Sequence, residues 1–208
     1  MIKLHGFYRS SATFRVRIAL NLKGVAYESV ARDLERGAQR EPAYLALNPQ
    51  GLVPALEVDG VVLNQSLAII AYLDERHPLP PLLPASAAER ARVRALFQIV
   101  AADTHPITSM RVSAYLKAHG FQDAGVRAWQ HHWLRRSFDA LDALLSAERG
   151  TGRFSHGDQP TLADIALVPQ VYFARRVGLE LDAWPTIIRI NEACLAEPAF
   201  AHAHPDRQ

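Results

Sequence analysis

The chain has 208 residues, 49% of them apolar, enough for one large domain or two small ones with a sizeable core. Its 23 Lys and Arg against 21 Asp and Glu leave a formal net charge of +2, which removes any general electrostatic case for a nucleic acid or membrane partner. One cysteine, Cys194, excludes an internal disulfide and a cysteine-based metal site; with no apolar signal core in Met1-Ile2-Lys3-Leu4-His5, the expectation is a soluble cytoplasmic protein.

Residues 2 to 7 read as a short buried strand, followed by an amphipathic helix from Ala12 to Lys23 that Gly24 terminates. Tyr27 to Ala31 reads as a second strand and Glu41 to Leu47 as a short helix. Residues 54 to 58 and 61 to 63 flank Asp59-Gly60, a strong hairpin signal, and Ser66 to Arg76 closes the unit as a helix. The order β-α-β, then β-β-α, predicts a mixed four-stranded sheet with helices on its faces, in a first domain spanning residues 1–80.

His77 to Pro84 holds four prolines in eight residues, which no regular element tolerates, and reads as the domain linker. Beyond it, helical periodicity runs from Ala87 to Ala118, from Ala124 to Ala147, from Leu162 to Arg176 and from Pro185 to Ala196, so a second domain, residues 85–208, is expected to be all helix. Thr161-Leu162-Ala163-Asp164 reads as a capping box and therefore as a folding element.

Three local features stand out. Arg9-Ser10-Ser11 opens one helix, Gln65-Ser66 opens another, and Val53-Pro54 lies between them. The first N–H groups of a helix have no internal partner and carry a partial positive charge, so both helix starts suit an anion. Taken alone, each feature has a plain structural reading. Serine before a helix is an N-cap contributing about 1 kcal/mol; Gln65-Ser66 is a cap; an X–Pro bond in a folded protein is trans in all but about 5–6% of cases. Arg9 and Arg176 would be solvated, and Asp103 and His105 ordinary polar residues of a helix kinked at Pro106.

Four segments change that weighting. Residues 10–20, Asn48 to Pro54, Asp103-Thr104-His105-Pro106 and Leu167-Val168-Pro169-Gln170, in this order, resemble the zeta-class signature of the cytosolic glutathione transferases, and the likeness spans nearly the whole chain. The resemblance implies α/β plus all-α architecture, with a thioredoxin-like N-terminal domain followed by a helical C-terminal domain. It also implies glutathione as cofactor, a homodimer, and cis–trans isomerisation of a small dicarboxylate, maleylacetoacetate from tyrosine or maleylpyruvate from gentisate. Ala12 stands where the class usually has cysteine, a feature shared with maleylpyruvate isomerases, and Thr108 and Ser109 stand where Asn is frequent.

Isomerising a conjugated cis alkene requires brief loss of its double-bond character, which a thiolate achieves by reversible addition. A thiol of pKa roughly 8.5 is only about 3% ionised at neutral pH. A hundredfold gain in acidity corresponds to about 2.7 kcal/mol, of which a helix dipole supplies about 0.3–1, so hydrogen bonds to sulfur must supply the rest. Ser10 or Ser11 is the natural donor, and the resemblance favours Ser11. It further implies a cis Val53-Pro54 bond that turns the Val53 backbone toward the cysteinyl part of glutathione, Gln65 and Ser66 at the γ-glutamyl group, and Gln39 and Gln50 at the glycyl end. Arg9 and Arg176 are assigned to the substrate's carboxylates, because a dianion calls for two cationic forks, with Arg111 a third candidate. Asp103 and His105 would approach glutathione from the partner subunit. The competing readings are a conjugating transferase or peroxidase acting on small electrophiles, and a non-catalytic protein of the same fold.

Overall fold

β1 (Lys3–Gly6) is buried from Leu4 onward; it runs parallel to β2 (Glu28–Ala31) and antiparallel to β3 (Ala55–Val58), which pairs with β4 (Val61–Asn64). The order β2-β1-β3-β4 is the mixed four-stranded sheet that the pattern predicts. Asp59 and Gly60 turn the β3–β4 hairpin with φ of 50° and 80°, the two left-handed residues that a two-residue turn matched to strand twist requires.

The computed structural model describes all 208 residues in two units, Met1–Pro81 with Glu197–Gln208, and Leu82–Ala196. In the first, α1 (Ser11–Leu22) is buried along most of its length, and Arg15 and Arg17 are each only 2% exposed. It packs so closely on β1 that a Cβ at Gly6 would stand 2.3 Å from Thr13 Cγ2. α2 (Pro42–Leu47) starts with proline at its first position, and α3 (Ser66–Arg76) follows the hairpin directly. Lys23 at the end of α1 donates to Asp74 of α3 at 2.6 Å.

The second unit is helical. α4 (Ala87–Gln98) begins at the N-cap Ser86, whose Oγ accepts from the Glu89 N–H at 3.2 Å. The single helix expected from Ala87 to Ala118 is instead interrupted twice. A π-helical turn, Ile99–Thr104, leads into α5 (His105–Thr108), and Ser109, with ψ of 162°, separates α5 from α6 (Met110–Ala118). Pro106 explains the first interruption: it has no N–H to donate, and its ring displaces the carbonyl one turn back, so the ladder widens there. The periodicity of apolar residues passes through both breaks.

α7 (Asp123–Ala147) packs against α9 (Pro185–Leu195), which in turn packs against α8 (Leu162–Arg176). Trp184 Nε1 donates to Asp139 Oδ1 at 2.8 Å, and the Ile187 N–H to Asp142 Oδ1 at 3.0 Å, which docks the start of α9 on α7. The α8 capping box is present. Asp164, fully buried, accepts from the Thr161 N–H at 2.7 Å, the Thr161 hydroxyl at 2.9 Å and the Ser155 N–H at 2.8 Å. Burial pushes its carboxyl above the usual range, and these donors pull the other way.

α10 (Pro198–Ala203) was not anticipated from sequence, and it returns to the first unit. Arg17 Nε donates to the Ala203 carbonyl at 2.9 Å, Asn21 Nδ2 to the Ala199 carbonyl at 3.0 Å, and the Phe14 and His204 rings meet edge to face at 5.8 Å. No helix is long and apolar enough to cross a membrane.

Candidate active site

Ser10 and Ser11 divide their roles at the start of α1. Ser10 has extended backbone, φ −69° and ψ 121°, and its Oγ accepts from the Thr13 N–H at 3.3 Å, so it is the N-cap. Ser11 is the first helical residue and 6% exposed, and no hydrogen bond within the protein engages its hydroxyl. It lies one turn before Arg15, on the same helix face. Arg9 precedes this pair and forms an ion pair with Glu35, its guanidinium carbon 5.5 Å from the Phe7 ring centroid and 5.0 Å from that of Tyr8. One nitrogen of the fork, Nη2, is thus engaged by an acid.

The start of α3 is a second opening. Gln65 adopts φ 67° and ψ 117°, a left-handed conformation uncommon for a residue with a side chain, and no side chain caps the helix. The first-turn N–H groups are left for a ligand. Gln65 Nε2 donates to Gln50 Oε1 at 2.8 Å. Gly51, at φ 59°, approaches the Gln39 carbonyl so closely that a Cβ would stand 3.2 Å from it. Gln39, Gln50, Gln65 and Ser66 are thereby gathered in one region of the first unit, and Gln39 Oε1 is buried without a hydrogen-bond partner.

Val53 borders this region. The Val53-Pro54 peptide bond is cis, and neither the N–H nor the C=O of Val53 is paired within the protein. The loop before it is anchored at one atom: the Tyr44 hydroxyl at 2.6 Å and Asn48 Nδ2 at 2.7 Å both donate to the Leu52 carbonyl. A chain of contacts ties that anchor to the sheet. Arg32 lies 5.3 Å from the Tyr44 ring centroid and donates to His5 Nδ1 from Nε at 3.2 Å and from Nη2 at 3.0 Å. An arginine only donates, so His5 carries its proton on Nε2, which donates to Glu57. Burial raises the Tyr44 hydroxyl's pKa, with the Asn48 bond and the Arg32 charge acting in the opposite direction.

The remaining predicted residues lie in the helical unit. Asp103 is exposed on the π-helical turn and makes no ion pair, His105 opens α5, and Arg111 is exposed on α6. Arg176, at the end of α8, lines a cleft of about 680 Å³ together with Arg127, Met110, Val126, Phe173 and the ion pair of Lys117 with Asp123 at 2.7 Å; Arg111 is not part of that lining. The site residues that sequence reasoning missed are those behind the surface. Tyr44 carried no motif signal, whereas Arg15 and Asn48 stood within the signature segments and could have been found there.

Residues 4–81 match the glutathione S-transferase N-terminal domain, and residues 123–201 the glutathione S-transferase C-terminal domain. The chain is 47% identical over 210 residues to maleylacetoacetate isomerase of Pseudomonas aeruginosa, covering 100% of this chain and 97% of that one. Among solved structures, it resembles the holo form of a maleylpyruvate isomerase described as a bacterial zeta-class glutathione S-transferase, with a TM-score of 0.97, 49% identity, and 99% and 98% of the two chains covered. A maleylacetoacetate isomerase from Methylobacterium extorquens AM1 with bound malonate and glutathione matches with a TM-score of 0.96 and 46% identity, covering 99% of this chain and 97% of that one. With both domains matched in order and close to half of all residues identical across whole relatives, the chain belongs to the glutathione S-transferase family, in its zeta class.

Proposed function

We propose that the protein is a glutathione-dependent cis–trans isomerase of a small unsaturated dicarboxylate, maleylacetoacetate or maleylpyruvate, in aromatic degradation. The observation that carries this reading is the fit of glutathione to the first unit. The peptide needs a main-chain partner for its cysteinyl residue and a donor set for its γ-glutamyl carboxylate. Val53 offers an unpaired N–H and C=O beside a cis proline, and α3 offers uncapped N–H groups at Ser66. Gln39 and Gln50 then serve the glycyl end.

Bound glutathione supplies the thiolate that adds reversibly to the alkene. The Ser11 hydroxyl, unengaged at the start of α1, donates to that sulfur and favours its ionised form, and the α1 N-terminus adds its partial charge. Arg9 and Arg176 orient the two carboxylates of the substrate. Arg111 is a further cation available to glutathione or substrate. The same reading takes the protein as a cytoplasmic homodimer in which Asp103 and His105 reach the partner's glutathione; the exposed acid at Asp103, free of any ion pair, supports it. A strictly monomeric and fully active protein in sedimentation analysis would contradict the dimer.

The test is to follow the absorbance of each maleyl compound with purified protein, with and without catalytic glutathione. Glutathione-dependent formation of the fumaryl isomer is expected, and the larger kcat/KM names the substrate. Conversion of neither compound would overturn the reading.

A further inference from the structure

The Leu52 carbonyl accepts from two side chains at once, the Tyr44 hydroxyl at 2.6 Å and Asn48 Nδ2 at 2.7 Å. A carbonyl oxygen has two lone pairs, so both are taken and the direction of the group is fixed. The donors are themselves held. Tyr44 is 0% exposed, with the Arg32 guanidinium carbon 5.3 Å and the His5 ring centroid 6.1 Å from the centre of its ring. Asn48, 1% exposed, also accepts from the Gln50 N–H at its Oδ1, 3.2 Å, and from the Gly51 N–H at its carbonyl, 2.9 Å. The loop of residues 50–52 is thus closed around Asn48 residue by residue.

The Leu52–Val53 bond is an ordinary trans peptide, in which the C=O of one residue and the N–H of the next point in opposite directions within one plane. Clamping the Leu52 carbonyl on two buried side chains therefore aims the Val53 N–H the other way, out of the region they occupy, where no group of the protein accepts from it. We propose that Tyr44, together with Asn48, is a positioning residue for glutathione: by fixing the Leu52 carbonyl it sets the Val53 N–H in advance for the carbonyl of the peptide's cysteinyl residue. The proposal rests on the reading that Val53 pairs with that residue. Burial raises the Tyr44 pKa, so the phenol keeps its proton and donates at neutral pH. A peptide plane ordered before the ligand arrives spares binding the cost of ordering it.

The test measures two ligands by calorimetry, glutathione and its isostere with a trans alkene in place of the cysteinyl–glycyl amide, which keeps the shape and lacks the cysteinyl carbonyl. Wild-type protein should bind glutathione at least about fivefold more tightly than the alkene. Equal affinities would refute the Val53 reading itself, and with it the proposal. In Tyr44→Phe, affinity for glutathione should fall about fivefold or more while affinity for the alkene stays within about twofold, because the lost hydroxyl acts only through the Val53 N–H. Equal weakening of both ligands, as a merely structural tyrosine would give, or no change in either, would overturn the proposal with the Val53 reading intact. Asn48→Asp keeps the acceptor for the Gln50 N–H and removes the donor to Leu52, so it should show the same selective loss; it serves where the phenylalanine variant does not fold. Failure of both variants to fold would make the clamp a folding element and likewise overturn the proposal.

Discussion

Ser10 and Ser11 are adjacent, and their surroundings assign them different work. Ser10 caps α1 through the Thr13 N–H, so Ser10→Ala should cost about 1 kcal/mol of stability in chemical denaturation and change turnover by less than about threefold. The Ser11 hydroxyl has no partner in the fold, so Ser11→Ala should leave the denaturation midpoint unchanged and lower kcat by at least about tenfold, the equivalent of one hydrogen bond to a charged atom. The opposite pairing of effects would exchange the two assignments. At the substrate end, Arg9→Ala and Arg176→Ala should each raise KM for the dicarboxylate by about tenfold or more while glutathione binding is retained. An unchanged KM would remove that arginine from the site. The serines were legible because both their position before a helix and their motif are local in sequence. Which one is free was not, since that depends on where the Thr13 N–H points.

Among the elements, α3 and α8 begin and end where their sequence signals place them, because each follows sharp punctuation: a hairpin and Gln65 in one case, the Thr161 box in the other. The π-helical turn and the Ser109 break were invisible, since apolar periodicity continues across them and only Pro106 hints at a disturbed ladder. Asp164 illustrates what a cap contributes when it is buried. Asp164→Ala would leave the N–H groups of Thr161 and Ser155 without acceptors, so a loss of about 2–4 kcal/mol is expected by denaturation, and a loss below about 0.5 would contradict the structural role. The contact between β1 and α1 is tested in the same way. Gly6→Ala forces a methyl against Thr13 and should destabilise by about 1–3 kcal/mol, with Thr13→Ser in the same chain restoring part of it. Absence of rescue would mean that the strain lies elsewhere.

On the scale of the whole molecule, the first unit is not continuous in sequence. Glu197–Gln208 belongs to it, and α10 is secured by side chains of α1 that reach its carbonyls. The reading that split the chain at the proline-rich linker could not reveal this, because a six-residue helix between Pro198 and His204 carries too little periodicity to mark its partner. Truncation after Ala196 would remove the buried Phe200 and leave Arg17 and Asn21 without those acceptors; a marked fall in Tm is expected, and an unchanged Tm would show that the segment is dispensable. An isomerase returns glutathione at the end of every turnover, and counting thiols reads that out. With maleylacetoacetate or maleylpyruvate in about hundredfold excess over glutathione, the account predicts complete conversion to the fumaryl isomer with the free thiol concentration unchanged at the end. Loss of one thiol for each substrate molecule consumed would contradict it and make the protein a conjugating transferase.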